Sequence, residues 1–230
     1  MKKGKFIVIE GTDGSGKATQ LKLLHKRLKK NTDKILLANF PRYYDSVWGK
    51  MVGDFLVGKY GKFDEVDPHL TVLPYMIDQY TWSRDVGKPW IEKGGIILAD
   101  RYFTSNVHQI ARLKTRTKKE FRDWLWPAGY KGLKIMRPDL VVFLDVPPEI
   151  TKKLNLQKTE RLYLKGRKQD LAERNWEHQK LAHREYLRTV NDNSWWMKVL
   201  CTSRGKIDSI EIIHERIWKI VSKKLDLNKQ

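Results

Sequence analysis

The sequence contains very little cysteine and no long apolar run. Cys201 is the single cysteine among 230 residues, which excludes an internal disulfide framework and a zinc site built from several cysteines. No stretch of 18 apolar residues is present, and residues 1–5 lead directly into a short apolar segment without the pattern of a secretory leader. These absences predict a protein that lacks a membrane span and resides in the cytoplasm.

Acidic residues are also scarce, with 27 Asp and Glu against 46 Lys and Arg and a net charge of +19. A surplus of this size is compatible with nucleic acid as a partner. The basic residues are, however, dispersed over predicted helices such as 22–30 and 114–119, with no nucleic-acid-binding motif beside them. We therefore expect solvated helix faces together with a site for phosphate-rich ligands, and nucleic-acid binding is not favoured.

The strongest local signal is a glycine-rich segment between a strand pattern at residues 6–10 and leucines at helical spacing in residues 20–28. It matches Gly-x-x-x-x-Gly-Lys-Ser/Thr, except that Ala18 replaces the final hydroxyl residue. In such a loop, backbone N–H groups and the helix N-terminus surround an anion. The residues predicted to bind nucleotide phosphates are Gly11, Asp13, Gly14, Ser15, Gly16, Lys17, Ala18 and Thr19.

Further apolar runs with strand character alternate with helical patterns. This alternation predicts a single α/β domain, residues 1–230, with a doubly wound, five-stranded parallel sheet flanked by helices. Pro41-Arg42, Asp100-Arg101 and Asp145 follow strands, so they are expected at the carboxyl edge of the sheet, where ligands bind. The later strands are predicted at 34–40, 96–99, 140–145 and 195–200, and helices at 47–57, 67–85, 104–126, 170–190 and 207–225.

Several short motifs occur in a characteristic order and spacing along most of the chain. They are Glu10-Gly11-Thr12-Asp13-Gly14-Ser15-Gly16-Lys17, Phe40-Pro41-Arg42-Tyr43, Gly58-Lys59-Tyr60-Gly61, Asp67-Pro68, Asp100-Arg101-Tyr102 with Ser105-Asn106, and Arg137-Pro138-Asp139 before Leu144-Asp145. In this order they resemble the thymidylate kinase family of P-loop nucleoside monophosphate kinases. The resemblance implies a P-loop NTPase-type fold, transfer of the ATP γ-phosphoryl group to dTMP with Mg²⁺, and a homodimer.

The resemblance also implies roles for individual residues. It gives Arg101 and Arg42 as ligands of the acceptor phosphate, Asp13 as a residue near the acceptor sugar and the metal, and Ser105 as a neighbour of the base. Phe40 belongs to the segment that closes the same pocket. Phosphoryl transfer depends on positioning and charge neutralisation, so Lys17, Asp13 and Arg101 are the expected catalytic residues.

Three departures from the family pattern concern the metal and the acceptor. Because Ala18 lacks a hydroxyl group, Thr19, Asp13 and Asp100 are the candidate direct or indirect metal contacts. Counting back from Asp100 places Tyr75 where relatives carry an aromatic residue that stacks on the base, and Gln79 where they carry an arginine that binds the acceptor. A shifted register would use Tyr80 and Arg84 instead. Gln109 stands where relatives carry Tyr or Phe.

The fourth departure concerns the lid, expected at about residues 155–170. The phosphate-binding loop lacks the arginine that one branch of the family uses near the γ phosphate, so the lid is expected to supply it through Arg161 or Arg167. The segment after the last strand, which contains Arg204, resembles the part that packs on adenine.

Two alternatives stay open at this point. The changes at Gln79 and Gln109 would fit a deoxynucleoside kinase or a nucleotide kinase of relaxed specificity. The charge of +19 and Ala18 would fit a P-loop protein that binds nucleotide and nucleic acid without turnover.

Overall fold

The computed structural model describes residues 4–155, 164 and 169–227. At its centre lies a sheet of five parallel strands, as the sequence predicts. The strands are β1 Lys5–Glu10, β2 Ile35–Asn39, β3 Ile96–Asp100, β4 Leu140–Asp145 and β5 Trp196–Leu200. Their order in the sheet is β2-β3-β1-β4-β5.

The central strand β1 shows why its sequence is a continuous apolar run. Phe6 and Val8 belong to the hydrophobic cluster on one face of the sheet, and Ile7 and Ile9 belong to the cluster on the other face. All four side chains are buried. A strand covered on both faces needs apolar residues at every position, because successive side chains point to opposite sides.

Helices cover both faces of this sheet. They are α1 Lys17–Leu28, α2 Val47–Leu56, α3 Pro68–Trp82, α4 Lys88–Glu92, α5 Val107–Ala111, α6 Thr115–Pro127, α7 Pro148–Asn155, α8 Leu171–Arg174, α9 Trp176–Asp192 and α10 Ile210–Lys224. The cluster that contains Ile7 and Ile9 is completed by α1 and α10, and the opposite cluster by α3, α5, α6 and α9. This arrangement is the doubly wound α/β fold that the pattern predicts.

The helix boundaries differ from the predicted ones in two regions. The helix expected at 104–126 is divided into α5 and α6, because the chain takes an extended conformation at Lys114. The helix expected at 170–190 is divided at Asn175, whose side chain accepts a hydrogen bond from the His178 N–H and so starts α9 anew. A small antiparallel pair, β6 Thr202–Ser203 and β7 Lys206–Ile207, was not predicted.

Within the ranges that the structure describes, we find no helix with the length and apolar character needed to cross a lipid bilayer.

Candidate active site

The glycine-rich loop joins β1 to α1 in the predicted strand–loop–helix order. Gly14 has a left-handed backbone with φ of 89°, and a Cβ atom there would lie 2.6 Å from the Thr151 carbonyl oxygen, so no other residue fits. The Lys17 Nζ atom donates hydrogen bonds of 3.0 Å to the carbonyl oxygens of Gly11 and Thr12. The lysine ammonium group is thereby held over the loop.

The side chains of the loop and of the first turn of α1 differ in burial. The hydroxyl groups of Thr12 and Ser15 are buried and have no hydrogen-bond partner among the residues described. Ala18 and Thr19 are exposed in the first turn of α1, which begins after Gly16 in a left-handed conformation. Buried hydroxyl groups without partners are expensive in a folded protein, and their presence here fits a loop built to surround a polar ligand.

Beside the loop, at the carboxyl edge of the sheet, lies a partly open cavity, whose empty space is about 580 Å³ when the part open to solvent is included. Its walls include aromatic rings, among them Tyr43 and Phe63, and uncharged polar side chains, among them Asn106 and His108. A cavity of mixed aromatic and polar character suits a small ligand with a planar group. The cavity brings together the predicted residues Asp13, Phe40, Tyr75, Gln79, Arg101, Ser105 and Gln109.

Arg101 lies between the loop and the cavity. It follows β3 with a left-handed φ of 65°, and its Nη2 atom donates a 2.7 Å hydrogen bond to Asp13 Oδ1. Gln179 holds the same aspartate from α9, because its Nε2 atom donates to Asp13 Oδ2 at 3.1 Å and its Oε1 atom accepts from the Asp13 N–H at 3.3 Å. The phosphate-binding loop and the cavity therefore share one ion pair.

The second predicted arginine, Arg42, is engaged elsewhere. Its guanidinium group donates to the Asp78 carboxylate at 2.9 Å, to the Asp78 carbonyl oxygen at 2.9 Å and to the Thr81 hydroxyl at 2.9 Å. Asp78 is fully buried, and Arg42 is absent from the cavity wall. In this structure Arg42 joins the segment after β2 to α3, and only its Nη1 atom has no hydrogen bond among the described residues.

The two candidate registers on α3 place different side chains at the cavity. Gln79 is 1% exposed, lines the cavity with Tyr75 and accepts a 3.4 Å hydrogen bond from Asn106 Nδ2. Arg84, in contrast, has a side chain that is 56% exposed and is paired with Asp85, and it does not line the cavity. The residues of the ungapped count thus lie at the cavity, and their roles toward base and phosphate stay predictions.

Gln109 also lines the cavity, and its partner Arg112 was missed in the sequence. Gln109 Oε1 accepts hydrogen bonds from Arg112 Nη1 at 2.7 Å and from the Thr71 hydroxyl at 2.8 Å. The Arg112 Nη2 atom donates to the carbonyl oxygens of Phe63 and Val66, so it ties the loop before α3 to the end of α5. Nothing local in the sequence distinguishes Arg112 from the many other arginines.

A buried carboxylate lies beneath the cavity. Glu10 is fully buried at the end of β1 and accepts hydrogen bonds from Thr104 at 2.6 Å, Ser105 at 2.8 Å and Tyr186 at 2.7 Å. Burial raises the pKa of Glu10, although the charge of Arg101 and these hydrogen bonds oppose that effect. The Ser105 hydroxyl proton is therefore used by Glu10, and its lone pairs remain to face the cavity.

The predicted metal residues come from the phosphate-binding loop, the first turn of α1 and the end of β3. Asp100 ends β3, its backbone pairs with Ile9 of β1, and its carboxylate has no hydrogen bond or ion pair within the described part of the chain. Asp13 is paired with Arg101. Among the residues that the structure describes, no three His, Cys, Asp or Glu side chains form a metal cluster. A magnesium ion here would be held largely by nucleotide phosphates and water, as is usual for this ion.

Two remaining predictions concern the lid and the adenine. Arg161 and Arg167 lie outside the described residues. Arg204 is exposed in the turn between β6 and β7, with a left-handed φ of 49°. Its position after β5 agrees with the predicted order of segments, and its contact with adenine stays a prediction.

Sequence reasoning also missed three residues beside Arg101, namely His108, His178 and Tyr186. Tyr186 and His178 come from α9, more than 70 residues away in sequence, so no local pattern relates them to Arg101. His108 could have been found, because Ser105, His108 and Gln109 fall on one helical face in the segment after Asp100.

A phosphate-binding loop that shares an ion pair with a partly open aromatic cavity has one place for a nucleoside triphosphate and one for a smaller acceptor. This arrangement, at the carboxyl edge of a parallel sheet, defines the class of P-loop nucleotide kinases.

Comparison with known proteins agrees with this class. The family model described as thymidylate kinase matches residues 9–217. A probable thymidylate kinase from Thermococcus gammatolerans is 34% identical over 149 residues, which span 63% of this chain and 66% of that protein. The thymidylate kinase from Plasmodium falciparum is 30% identical over 223 residues, which span 96% of this chain and 91% of that protein.

The solved structure of the thymidylate kinase from Candida albicans has a TM-score of 0.72 at 19% identity, and the match covers 96% of this chain and 92% of that one. The chain belongs to the thymidylate kinase family. The family and the phosphotransferase class predicted from the motifs are thereby confirmed, and the non-catalytic alternative is not favoured.

Proposed function

We propose that the protein transfers the γ-phosphoryl group of ATP to dTMP, giving dTDP and ADP. The observation that carries this proposal is the ion pair between Asp13 of the phosphate-binding loop and Arg101 of the acceptor cavity. It fixes the arginine that would bind the acceptor phosphate next to the loop that would bind the phosphates of ATP, and phosphoryl transfer requires that two polyanions be brought into line.

In this mechanism each charged group has one task. Lys17 neutralises the β and γ phosphates of ATP, and the loop N–H groups surround them. Arg101 binds the phosphate of dTMP and orients it toward the γ phosphorus. Tyr75 stacks on the base, and the amide of Gln79 offers a neutral hydrogen bond to the phosphate of dTMP from the cavity wall. These contacts position the acceptor, which is most of what the reaction demands of the protein.

Mg²⁺ bound with ATP would supply further neutralisation of the phosphate oxygens. The carboxylate of Asp100, which has no hydrogen bond or ion pair among the residues described, and the exposed Thr19 are the groups that would hold its water ligands, together with Asp13. We further propose a γ-phosphate contact from Arg161 or Arg167 in a lid at about residues 155–170 of a single domain.

We propose a homodimer, supported by apolar side chains that α2 and α3 expose. Val47 and Leu70 are each 64% exposed, and Met51 and Leu73 are also exposed. The two helices pack against each other, and these apolar side chains are left exposed by the residues that the structure describes. Light scattering after size exclusion should give twice the mass of the chain, and Leu70→Asp should give the monomer. A wild-type monomer at micromolar concentration would contradict the proposal.

The activity is tested by ADP release with a panel of nucleosides and nucleoside monophosphates. We expect the highest kcat/KM with dTMP and no turnover without Mg²⁺. Lys17→Ala should reduce turnover by several orders of magnitude, because its charge is most useful as the phosphoryl group leaves. A panel without any phosphorylated product would refute the proposal, and a preference for nucleosides over monophosphates would favour a deoxynucleoside kinase.

The cytoplasmic location stays a prediction.

A further inference from the structure

Arg101 is held by acceptors from three separate elements, which are the phosphate-binding loop, α5 and α9. Its Nη2 atom is fixed by Asp13 of the loop, and its Nη1 atom faces His108 of α5 and Tyr186 of α9. The distances from Nη1 are 3.2 Å to His108 Nε2 and 3.5 Å to the Tyr186 oxygen. The tyrosine hydroxyl donates its proton to Glu10 at 2.7 Å, so it is a distant and already engaged partner. His108 is therefore the closer acceptor on this side of the guanidinium group.

The hydrogen bonds determine where the protons of the histidines lie. Arginine only donates, so His108 Nε2 must accept, and the proton of the ring is on Nδ1. That Nδ1 atom lies 3.2 Å from His178 Nε2, which must then be the acceptor. His178 Nδ1 consequently carries a proton, and it is buried without a partner among the described residues. Both rings are neutral in this arrangement.

The surroundings hold the His108 ring in place. It packs edge-on against Tyr186, with ring centres 5.5 Å apart, and lies against His178 at 5.4 Å. Burial, aided by the positive charge of Arg101, lowers the pKa of His108 well below its usual value. The ring thus presents a lone pair, and not a positive charge, to the arginine.

We propose that His108 is a positioning residue, which fixes the plane of the Arg101 guanidinium group so that it can bind the acceptor phosphate. With Nη1 held by His108 and Nη2 by Asp13, the guanidinium plane is fixed at both terminal nitrogens. A planar group held in this way loses little freedom when it binds a phosphate through two hydrogen bonds. This inference rests on the proposed function, because it concerns the arginine that binds the phosphate of dTMP.

The test compares ligands with and without the phosphate. Calorimetry should give the dissociation constants of dTMP and thymidine for the wild type, His108→Leu and His108→Gln. His108→Leu removes the acceptor atom, so we expect dTMP binding to weaken about tenfold, the usual loss for one hydrogen bond to a charged group, with thymidine binding unchanged. His108→Gln can accept through its amide oxygen and should stay within about threefold of the wild type.

Kinetics supply a second measurement. In His108→Leu the KM for dTMP should rise while the KM for ATP stays constant, and His108→Gln should restore the KM for dTMP. His214→Leu is the matched control, because His214 is also buried but lies on α10, outside the cavity. It should change neither constant, and thermal unfolding shows that each variant is folded.

Three outcomes would overturn the inference. Equal weakening of thymidine and dTMP binding in His108→Leu would mean that His108 shapes the cavity or contacts the nucleoside. If His108→Leu prefers dTMP over thymidine by the same factor as the wild type, the positioning role is excluded and the proposed function still stands. A wild-type protein that binds thymidine and dTMP equally well would refute the proposed function, and with it the role of Arg101.

Discussion

Acidification should destabilise this protein through its buried pair of histidines, His108 and His178. His178 is 3% exposed, and burial lowers its pKa from 6.5 to about 3. Positive groups from several elements face His108 and His178 and also lower their pKa, whereas Asp13 raises it. The positive groups are Arg101, Arg112, Lys17 and Lys118. Folding therefore keeps His178 neutral at a pH where the unfolded chain would protonate it.

The sign and size of the effect follow from proton linkage. Because the unfolded state binds more protons below pH 6.5, the free energy of unfolding falls as the pH falls toward the folded pKa. Between pH 7 and pH 5 the loss due to His178 is about 2 kcal/mol, and it depends little on the folded pKa once that lies well below 5. This is a large part of the stability of about 5–15 kcal/mol typical of a domain.

Urea unfolding followed by tryptophan fluorescence can measure this loss, since the chain has nine tryptophans. Glu10 acts with the opposite sign, because its raised pKa makes the folded state gain protons on acidification. The informative quantity is therefore the difference between the wild type and His178→Phe, whose ring can keep the edge-on contact with Phe63. The free-energy difference between the two proteins should change by about 2 kcal/mol from pH 7 to pH 5 and stay constant from pH 7 to pH 8. A difference that does not vary with pH would refute the assignment of His178 as a buried neutral group.

Three further predictions concern the lid, the acceptor cavity and the ion pair between Arg42 and Asp78. Arg161→Ala or Arg167→Ala should lower kcat much more than it weakens dTMP binding, because a lid contact with the γ phosphate strengthens in the transition state; unchanged kcat in both variants would contradict this. Gln79→Arg should lower the KM for dTMP by a factor of about five to thirty and leave that for ATP unchanged, since a charge-assisted contact is roughly twice as strong as a neutral one. Arg84→Ala is its control and should have no effect, and a higher KM for dTMP in Gln79→Arg would refute the reasoning. Arg42→Ala should lower the free energy of unfolding by about 3 kcal/mol, because it leaves the buried Asp78 carboxylate without its cationic partner, although the backbone N–H of residue 42 still donates to it; a urea titration that shows no loss would exclude a structural role for this pair.

The sequence by itself determined the elements whose signals are local. Each parallel strand is a short apolar run because both faces of the sheet are covered. The phosphate-binding loop is recognisable because Gly11, Gly16 and Lys17 stand at the motif spacing between a strand pattern and a helix pattern, and both glycines have the positive φ that the loop needs. The same locality explains why Arg101 could be placed at the carboxyl edge of β3. These features follow from a few neighbouring residues, whatever the remainder of the chain does.

Only the tertiary structure decided which partner each polar side chain has. Arg42 and Arg101 both follow strands and look equivalent in sequence, yet one is bound to Asp78 of α3 and the other to Asp13, His108 and Tyr186. The physical reason is that parallel strands bring their carboxyl ends to one edge, where loops and helices far apart in sequence converge. A hydrogen bond forms only within a narrow range of donor–acceptor distance, so a shift of a few tenths of an ångström between those elements decides which bond forms. Tertiary packing sets these distances.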